Sequence, residues 1–440
     1  MNLIKYRNSG DFTSPGTLKN RRINVIFHHD KPFLGEDTGV FKFIHSADLH
    51  LGSAFSAWCK QRPEAAKELM LAPGAALDRL VDAAIAEKVL FAVVAGDVFD
   101  TPTPPLSAEA HFRAALEKLD AAGIRVFVAL GNHDCGAHLV DLPANTVLFS
   151  GERAEAFEVK FDGRTVATVA GISHSGPAEK RDLSPQVEAA LSAASGFRIG
   201  VLHANVDGDP GYEPYAPVAL DTLRRGSADY WALGHVHKRR ILCDRPRIVY
   251  SGSVQGRSVN EPGERGGFLV EVGDDGGVKC TELNVQSVRF ETLTLDRLED
   301  VADLPALKRR FGEALPESAG PLCLRLVLAS GTPLNPRLRS SGQEELTGIF
   351  SPELAKRLPG AWLESVIVRT TAPVSPARRE GLAAEVAAVH DEVDFKKLLA
   401  ELSFAADERV VFGDEELDEI AAAAEDLLLD ALSGDTGGLK

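Results

Sequence analysis

Apolar residues along this chain come in short runs set at regular distances, and the spacing between them separates two kinds of structure. From Phe41 onward, runs of four to seven apolar or β-branched residues alternate with helix-length amphipathic segments. The spacing predicts a strand at 41–45, a helix over 74–88 with Ala75, Leu77, Leu80, Val81, Ala84 and Ile85 on one face, and a strand at Val89–Ala95. After the Pro-rich turn Pro102 to Pro105 come a helix over 107–122 and a strand at 124–130. Helix-length spacers between short strands imply parallel pairing in βαβ units.

Past residue 140 the spacing shortens. Phe157–Phe161 and Thr165–Val169 flank Asp162-Gly163, a strong hairpin signal. Further strands are expected at Arg198–Leu202, Tyr230–Leu233, 247–250, 267–272 and 278–285. The predicted fold class is mixed α/β (α+β): a two-sheet β-sandwich flanked by helices, followed by a small α+β capping domain. The domain boundaries read as 1–40, a poorly ordered extension without periodicity; 41–286, the main domain; 287–372, the α+β unit; and 373–440, an acidic helical region after the linker Pro373 to Pro376. Within 287–371 the pattern gives strand Arg289–Leu293, helix Glu299–Ala314, strand Leu322–Leu328, a polar helix Ser340–Ile349 and strand Trp362–Arg369. In the last region Leu417, Ile420, Leu427, Leu428 and Leu432 recur at helical spacing, so this helix has an apolar stripe to cover.

Composition narrows the class. The chain has 440 residues, 44% hydrophobic and 25% charged, which is ordinary for a globular protein. No apolar run approaches the ~20 residues of a membrane helix, and the start lacks an apolar signal segment. A cytoplasmic location without membrane attachment is therefore expected. The five cysteines show no CxxC spacing, so neither a zinc knuckle nor a disulfide framework is indicated. A net charge of −16 argues against a basic coat for gripping nucleic acid, but a cleft can set its own field through metals and a local arginine cluster.

Small clusters of hard ligands sit at the predicted strand ends: Asp48-Leu-His50, Gly96-Asp97-Val-Phe-Asp100, Gly131-Asn132-His133-Asp134, His203 and Gly234-His235-Val-His237. Carboxyl ends of strands are where open α/β sheets keep ligand sites. Collected, Asp48, His50, Asp97, Asn132, His203, His235 and His237 form a carboxylate, imidazole and amide set without thiolate, suited to manganese, iron or zinc in five- or six-coordinate sites. In the two D/H-x-H pairs, i and i+2 side chains on an extended chain reach the same side while Leu49 or Val236 turns into the core. Asp97, between the flanking ligand loops, is the candidate bridge for two metals, which could activate a water and clamp a phosphoryl group. His133, with Asp134 beside it as orienting carboxylate, is the candidate proton donor. His45, His111, His138 and His174 read as structural or surface residues.

In order and spacing, these five motifs resemble those of the calcineurin-like metallophosphoesterases. The fuller strings His45–Gly52 and Ala95–Thr101 look like the DNA repair exonuclease branch, SbcD and its YhaO-like relatives. The resemblance implies that the seven ligands above bind two divalent ions, manganese by family habit with zinc or iron chemically admissible. It also implies DNA as substrate and a coiled-coil SbcC-like ATPase partner docked on the C-terminal helical region. A second copy of the chain is admitted as a further partner. Asp100 stands where some members carry His, and Arg239 and Arg257, among the arginines after the last motif, are candidates with it for substrate contact. Two alternatives stay open: a metallophosphoesterase for another phosphoester, since the motifs leave what is attached to the phosphoryl group open, or a scaffold subunit regulating an ATPase.

Overall fold

The computed structural model describes residues 41–55, 63–137, 139–317 and 320–369. The expected extension at 1–40 and helical region at 373–440 lie outside the described residues.

The main unit is a four-layer sandwich. In the first sheet, β1 (Phe41–Ser46), β2 (Phe91–Ala95), β3 (Arg125–Ala129) and β4 (Thr146–Leu148) run parallel, and β11 (Gly266–Val272) and β12 (Val278–Asn284) close the other edge antiparallel. In the second, β5 (Glu155–Phe161), β6 (Arg164–Gly171), β7 (Phe197–His203), β8 (Tyr230–Gly234), β10 (Arg247–Tyr250) and β9 (Arg240–Cys243) pair in that order. There β6, β7, β8 and β10 are parallel, and β5 and β9 add antiparallel edges.

Period-two alternation builds three apolar layers. Phe43, Phe91, Val93, Phe127, Ala129, Ile199, Val201, Tyr230 and Ala232 point between the sheets. On the outer face of the first sheet, Ile44, Ala92, Val94, Val126 and Val128 pack against α1 (Pro63–Ala86) and α2 (Leu106–Ala121). On the outer face of the second, Leu202, Trp231 and Leu233 meet α3 (Ser184–Leu191) and α4 (Leu220–Arg225). Strands buried on both faces explain why their sequences are nearly continuous apolar runs. His45 enters the inter-sheet layer, where its Nδ1 lies 2.9 Å from the Tyr230 hydroxyl and its Nε2 3.2 Å from the Leu233 carbonyl.

The third sheet, β13 (Arg289–Leu295), β14 (Leu322–Leu328) and β15 (Trp362–Val368), is parallel throughout and carries α5 (Leu304–Ala314), α6 (Asn335–Ser340) and α7 (Gln343–Arg357). Asp303 caps α5, its carboxylate accepting from the Ala306 amide at 2.7 Å, so the helix starts later than its periodicity suggests. Conversely, α1 starts before residue 74 and runs through Pro73. Buried Leu69, Ala72, Ala76 and Leu77 continue one apolar stripe, and its packing outweighs the ~3 kcal/mol of an interior proline. Among the described residues no helix is long and apolar enough to cross a membrane.

Candidate metal centre

Four loops at the carboxyl ends of β1, β2, β3 and β8, together with the last residue of β7, meet at one edge of the sandwich. The segment after β1 runs beside that after β2, with Asp48 N donating to Gly96 O at 3.0 Å and His50 N to Asp97 O at 3.0 Å. Asp48 and His50 do not reach the same side as an extended pair: both are left-handed, at φ 51° and 45°, as are Asp97 at 50° and His235 at 96°. Each such residue stores on the order of 1–3 kcal/mol of backbone strain. Leu49 and Val236 still turn into the core, at 1% and 0% exposure. Gly96, at φ 99°, is required by contact as well, since a Cβ there would stand 2.2 Å from His203 Nδ1.

The donor atoms gather in three overlapping groups: Asp48, His50 and His237; His50, Asp97 and His133; and Asp48, Asp97 and His203. Asp97 lies between the sides, its Oδ2 3.9 Å from His50 Nε2 and 3.3 Å from His203 Nε2. Asn132 joins through its Oδ1, 3.1 Å from His203 Nε2. His235 stands outside these three groups: it donates its backbone N–H to the Asp48 carboxylate at 3.2 Å, and its Nε2 lies 2.7 Å from the Glu213 carbonyl, which leaves Nδ1 as its uncommitted ring nitrogen.

Hydrogen bonds on the far nitrogens decide what these imidazoles present. His50 Nδ1 lies 3.1 Å from Asp100 Oδ1, His237 Nδ1 2.8 Å from Glu261 Oε1, and His203 Nδ1 3.0 Å from the Ala95 carbonyl. All three partners are acceptors, so the Nδ1 atoms carry the protons and the Nε2 lone pairs face inward. The Nε2 atoms of His50 and His237 then stand 3.1 Å apart, lone pair to lone pair. His203 Nε2 faces the oxygens of Asp97 and Asn132 in the same way. Such a convergence of acceptors calls for a cation, and the residues fit divalent metal.

Without metal a proton meets part of that demand. Burial lowers the His203 pKa, but the charge of Asp97 and its hydrogen bond win and push it up to about 9. Asp97 is opposed by burial yet held well below the ordinary carboxylate range by His203. Burial pulls His235 down to about 3 and also lowers His50. For Glu261, burial is overcome by the His237 bond, leaving it at about 2.

Other sequence candidates take different places. Asp134 does not orient His133: its carboxylate accepts from the amides of Val98 at 2.6 Å, Phe99 at 3.2 Å and Gly131 at 2.7 Å. It latches the β3 loop onto the β2 loop. The His133 ring is set by the Asp100 carbonyl, 3.1 Å from its Nδ1, while its backbone N–H donates to Asp97 Oδ1 at 3.0 Å. Asp100 faces His50 and Arg257, whose Nη1 donates to it at 2.9 Å. Arg239 turns toward β12, bonding Asn284 at 2.6 Å and pairing with Glu282 at 3.3 Å.

Sequence reasoning missed Glu261, Tyr212 and the supporting role of His174. Tyr212 Oη accepts from the His237 amide at 3.1 Å, and His174 Nε2 lies 2.6 Å from the His203 carbonyl. None of the three belongs to a strand-end motif, and no local pattern marks them. His111 pairs at the surface with Asp78, 2.9 Å away, and His138 lies outside the described residues.

Residues 41–239 match the calcineurin-like phosphoesterase family. Over 301 residues the chain is 32% identical to YhaO, an uncharacterized metallophosphoesterase of Bacillus subtilis, covering 66% of this chain and 72% of that protein. It is 31% identical over 243 residues to the DNA double-strand break repair protein Mre11 of Thermoplasma acidophilum, covering 52% of this chain and 62% of that one. With the SbcD component of the Escherichia coli nuclease SbcCD it shares 28% identity over 259 residues, covering 51% of this chain and 62% of that component.

Proposed function

The chain belongs to the calcineurin-like phosphoesterases, hydrolases of phosphoester bonds, and on that premise we propose that it is a two-metal exonuclease cutting the DNA backbone. The observation that carries the metal chemistry is the inward convergence of the His50, His203 and His237 lone pairs on the carboxylates of Asp48 and Asp97. Asp48, His50 and His237 would hold one ion, Asn132, His203 and His235 the other, with Asp97 shared. Manganese suits this oxygen and imidazole set, and zinc or iron remain chemically admissible. When bound, the metal pair supplies a deprotonated water and neutralises the phosphoryl oxygens.

The chain's own residues do the rest. His133, with Nδ1 on the Asp100 carbonyl, keeps Nε2 available to carry a proton to the leaving oxygen. Its side chain is 38% exposed, so a substrate can reach it. Arg257, 29% exposed and held by Asp100, offers the remaining guanidinium donors to a phosphate. The DNA assignment is supported by the similarity to Mre11 and to a nuclease component, and the latter suggests an SbcC-like coiled-coil ATPase as partner.

The test is cleavage of end-labelled single- and double-stranded DNA by the purified chain, in manganese against magnesium, with Asp97→Ala as control. Manganese-dependent laddering, lost in the variant, is expected. Hydrolysis of an aryl phosphodiester without any DNA cleavage would keep the metal centre and remove DNA as the substrate of the isolated chain.

A further inference from the structure

The segment between β10 and β11 carries none of the strand-end motifs, yet it holds two of the inward-facing imidazoles from behind. Glu261 Oε1 lies 2.8 Å from His237 Nδ1, and its Oε2 accepts from the Arg257 backbone amide at 3.0 Å. Arg257 Nη1 donates to Asp100 Oδ1 at 2.9 Å, and the same oxygen lies 3.1 Å from His50 Nδ1. One short stretch of chain therefore fixes the far nitrogens of both rings whose Nε2 atoms meet at 3.1 Å. The segment is tied in turn to the third sheet. Asn260 Oδ1 accepts from Arg325 Nη1 of β14 at 3.0 Å, and Gly263 N donates to Phe290 O of β13 at 2.9 Å.

We infer that Glu261 is a positioning residue for the metal centre, and that the third sheet holds it in place through Asn260. The inference rests on reading the strand-end cluster as a metal centre; it does not depend on DNA being the substrate. A neutral imidazole has two tautomers, and only the one protonated on Nδ1 presents Nε2 as a lone pair. The Glu261 carboxylate selects that tautomer, fixes the ring plane and raises the basicity of Nε2. A carboxylate serving only as a counter-ion for Arg257 would sit closest to the guanidinium. Here the Arg257 Nε contact is 3.6 Å and the imidazole contact 2.8 Å.

The experiment titrates the metal-free full chain with Mn2+ by calorimetry and follows turnover of an aryl phosphodiester across pH. Glu261→Ala and Glu261→Asp, whose shorter arm withdraws the carboxylate, are expected to bind Mn2+ about 10–100-fold more weakly. Glu261→Gln keeps an oxygen that accepts from His237 Nδ1, so it should recover most of that affinity. Asn260→Ala should weaken binding in the same direction, by less. If the alanine variant does not fold, the aspartate variant carries the test. Unchanged Mn2+ affinity in Glu261→Asp would overturn the inference, and so would a Glu261→Gln chain as impaired as the shortened one. Unchanged affinity in Asn260→Ala would remove the third sheet from it.

Discussion

Gly131 offers a way to disturb the centre without replacing any of the candidate ligands. Its backbone lies outside the left-handed region, so alanine there meets no left-handed strain. The added methyl would nevertheless stand 2.2 Å from Asp97 Oδ1 and 2.8 Å from two atoms of the His203 ring. Non-bonded contacts settle at ~3.5 Å or more, so the Asp97 carboxylate must retreat by about 1 Å. It has little freedom to do so, being 1% exposed and bonded on that same oxygen by the His133 amide at 3.0 Å. A misplacement of about 1 Å at a reacting centre costs on the order of 10²-fold in rate. The overpacking itself costs about 1–3 kcal/mol of stability. Gly131→Ala is therefore expected to lose about 10²-fold in Mn2+-dependent turnover of an aryl phosphodiester while remaining folded by circular dichroism. The matched control is Gly176→Ala, whose methyl meets nothing within 4 Å. A Gly131→Ala enzyme within about twofold of the parent would refute the crowding argument and the tight placement of Asp97 on which it depends.

Three further outcomes follow from the geometry. Replacing His133 by Asn should lower kcat by about 10²–10⁴ with little change in KM, and steady-state kinetics on the same substrate would expose an equal loss in both as a contradiction. Asp134→Ala strands the buried amides of Val98, Phe99 and Gly131; at about 1–3 kcal/mol for each unsatisfied donor, urea unfolding should show a loss of several kcal/mol, and an unshifted midpoint would deny the latch. For pH, the His203 pKa in the metal-free chain is raised from 6.5 to about 9. The stabilisation from that proton is fully present below 6.5 and is lost as pH rises through about 9. Metal must displace the proton, so Mn2+ binding should release it and tighten from neutrality toward about 9. Calorimetry in buffers of different ionisation enthalpy would read the proton directly, and pH-independent affinity over that window would contradict the assignment.

Much of the fold was legible because the central strands of the sandwich, such as β2 and β8, are buried on both faces. Val89–Ala95 and Tyr230–Leu233 announce themselves as apolar runs, and Asp162-Gly163 marks its hairpin by turn chemistry alone. Short helices such as α4 and edge strands such as β9 carry too few apolar positions to set a period, and α1 hid behind Pro73, whose cost is offset only by tertiary packing. The residues that gather at the candidate site were readable because each loop sets hard donors just past the end of a strand. Their supports were not. Asp134 reads as a neighbour of His133, but its side chain points back to three amides. Glu261 is separated from His237 by a long stretch of chain and meets it only through the path between β10 and β11. The left-handed backbone of Asp48 and His50 is likewise invisible in a pattern that an extended strand satisfies equally well.

The most direct test of the account is the number of manganese ions held by the full chain. The convergence around Asp97 predicts about two per chain, in one paired site, as expected for two-metal phosphoester hydrolysis. Inductively coupled plasma mass spectrometry after equilibrium dialysis would count them in the parent and in Asp97→Ala. Two ions in the parent, with one or none in the variant, is the predicted result. A parent chain that binds a single ion or none, or a variant that keeps both, would contradict it.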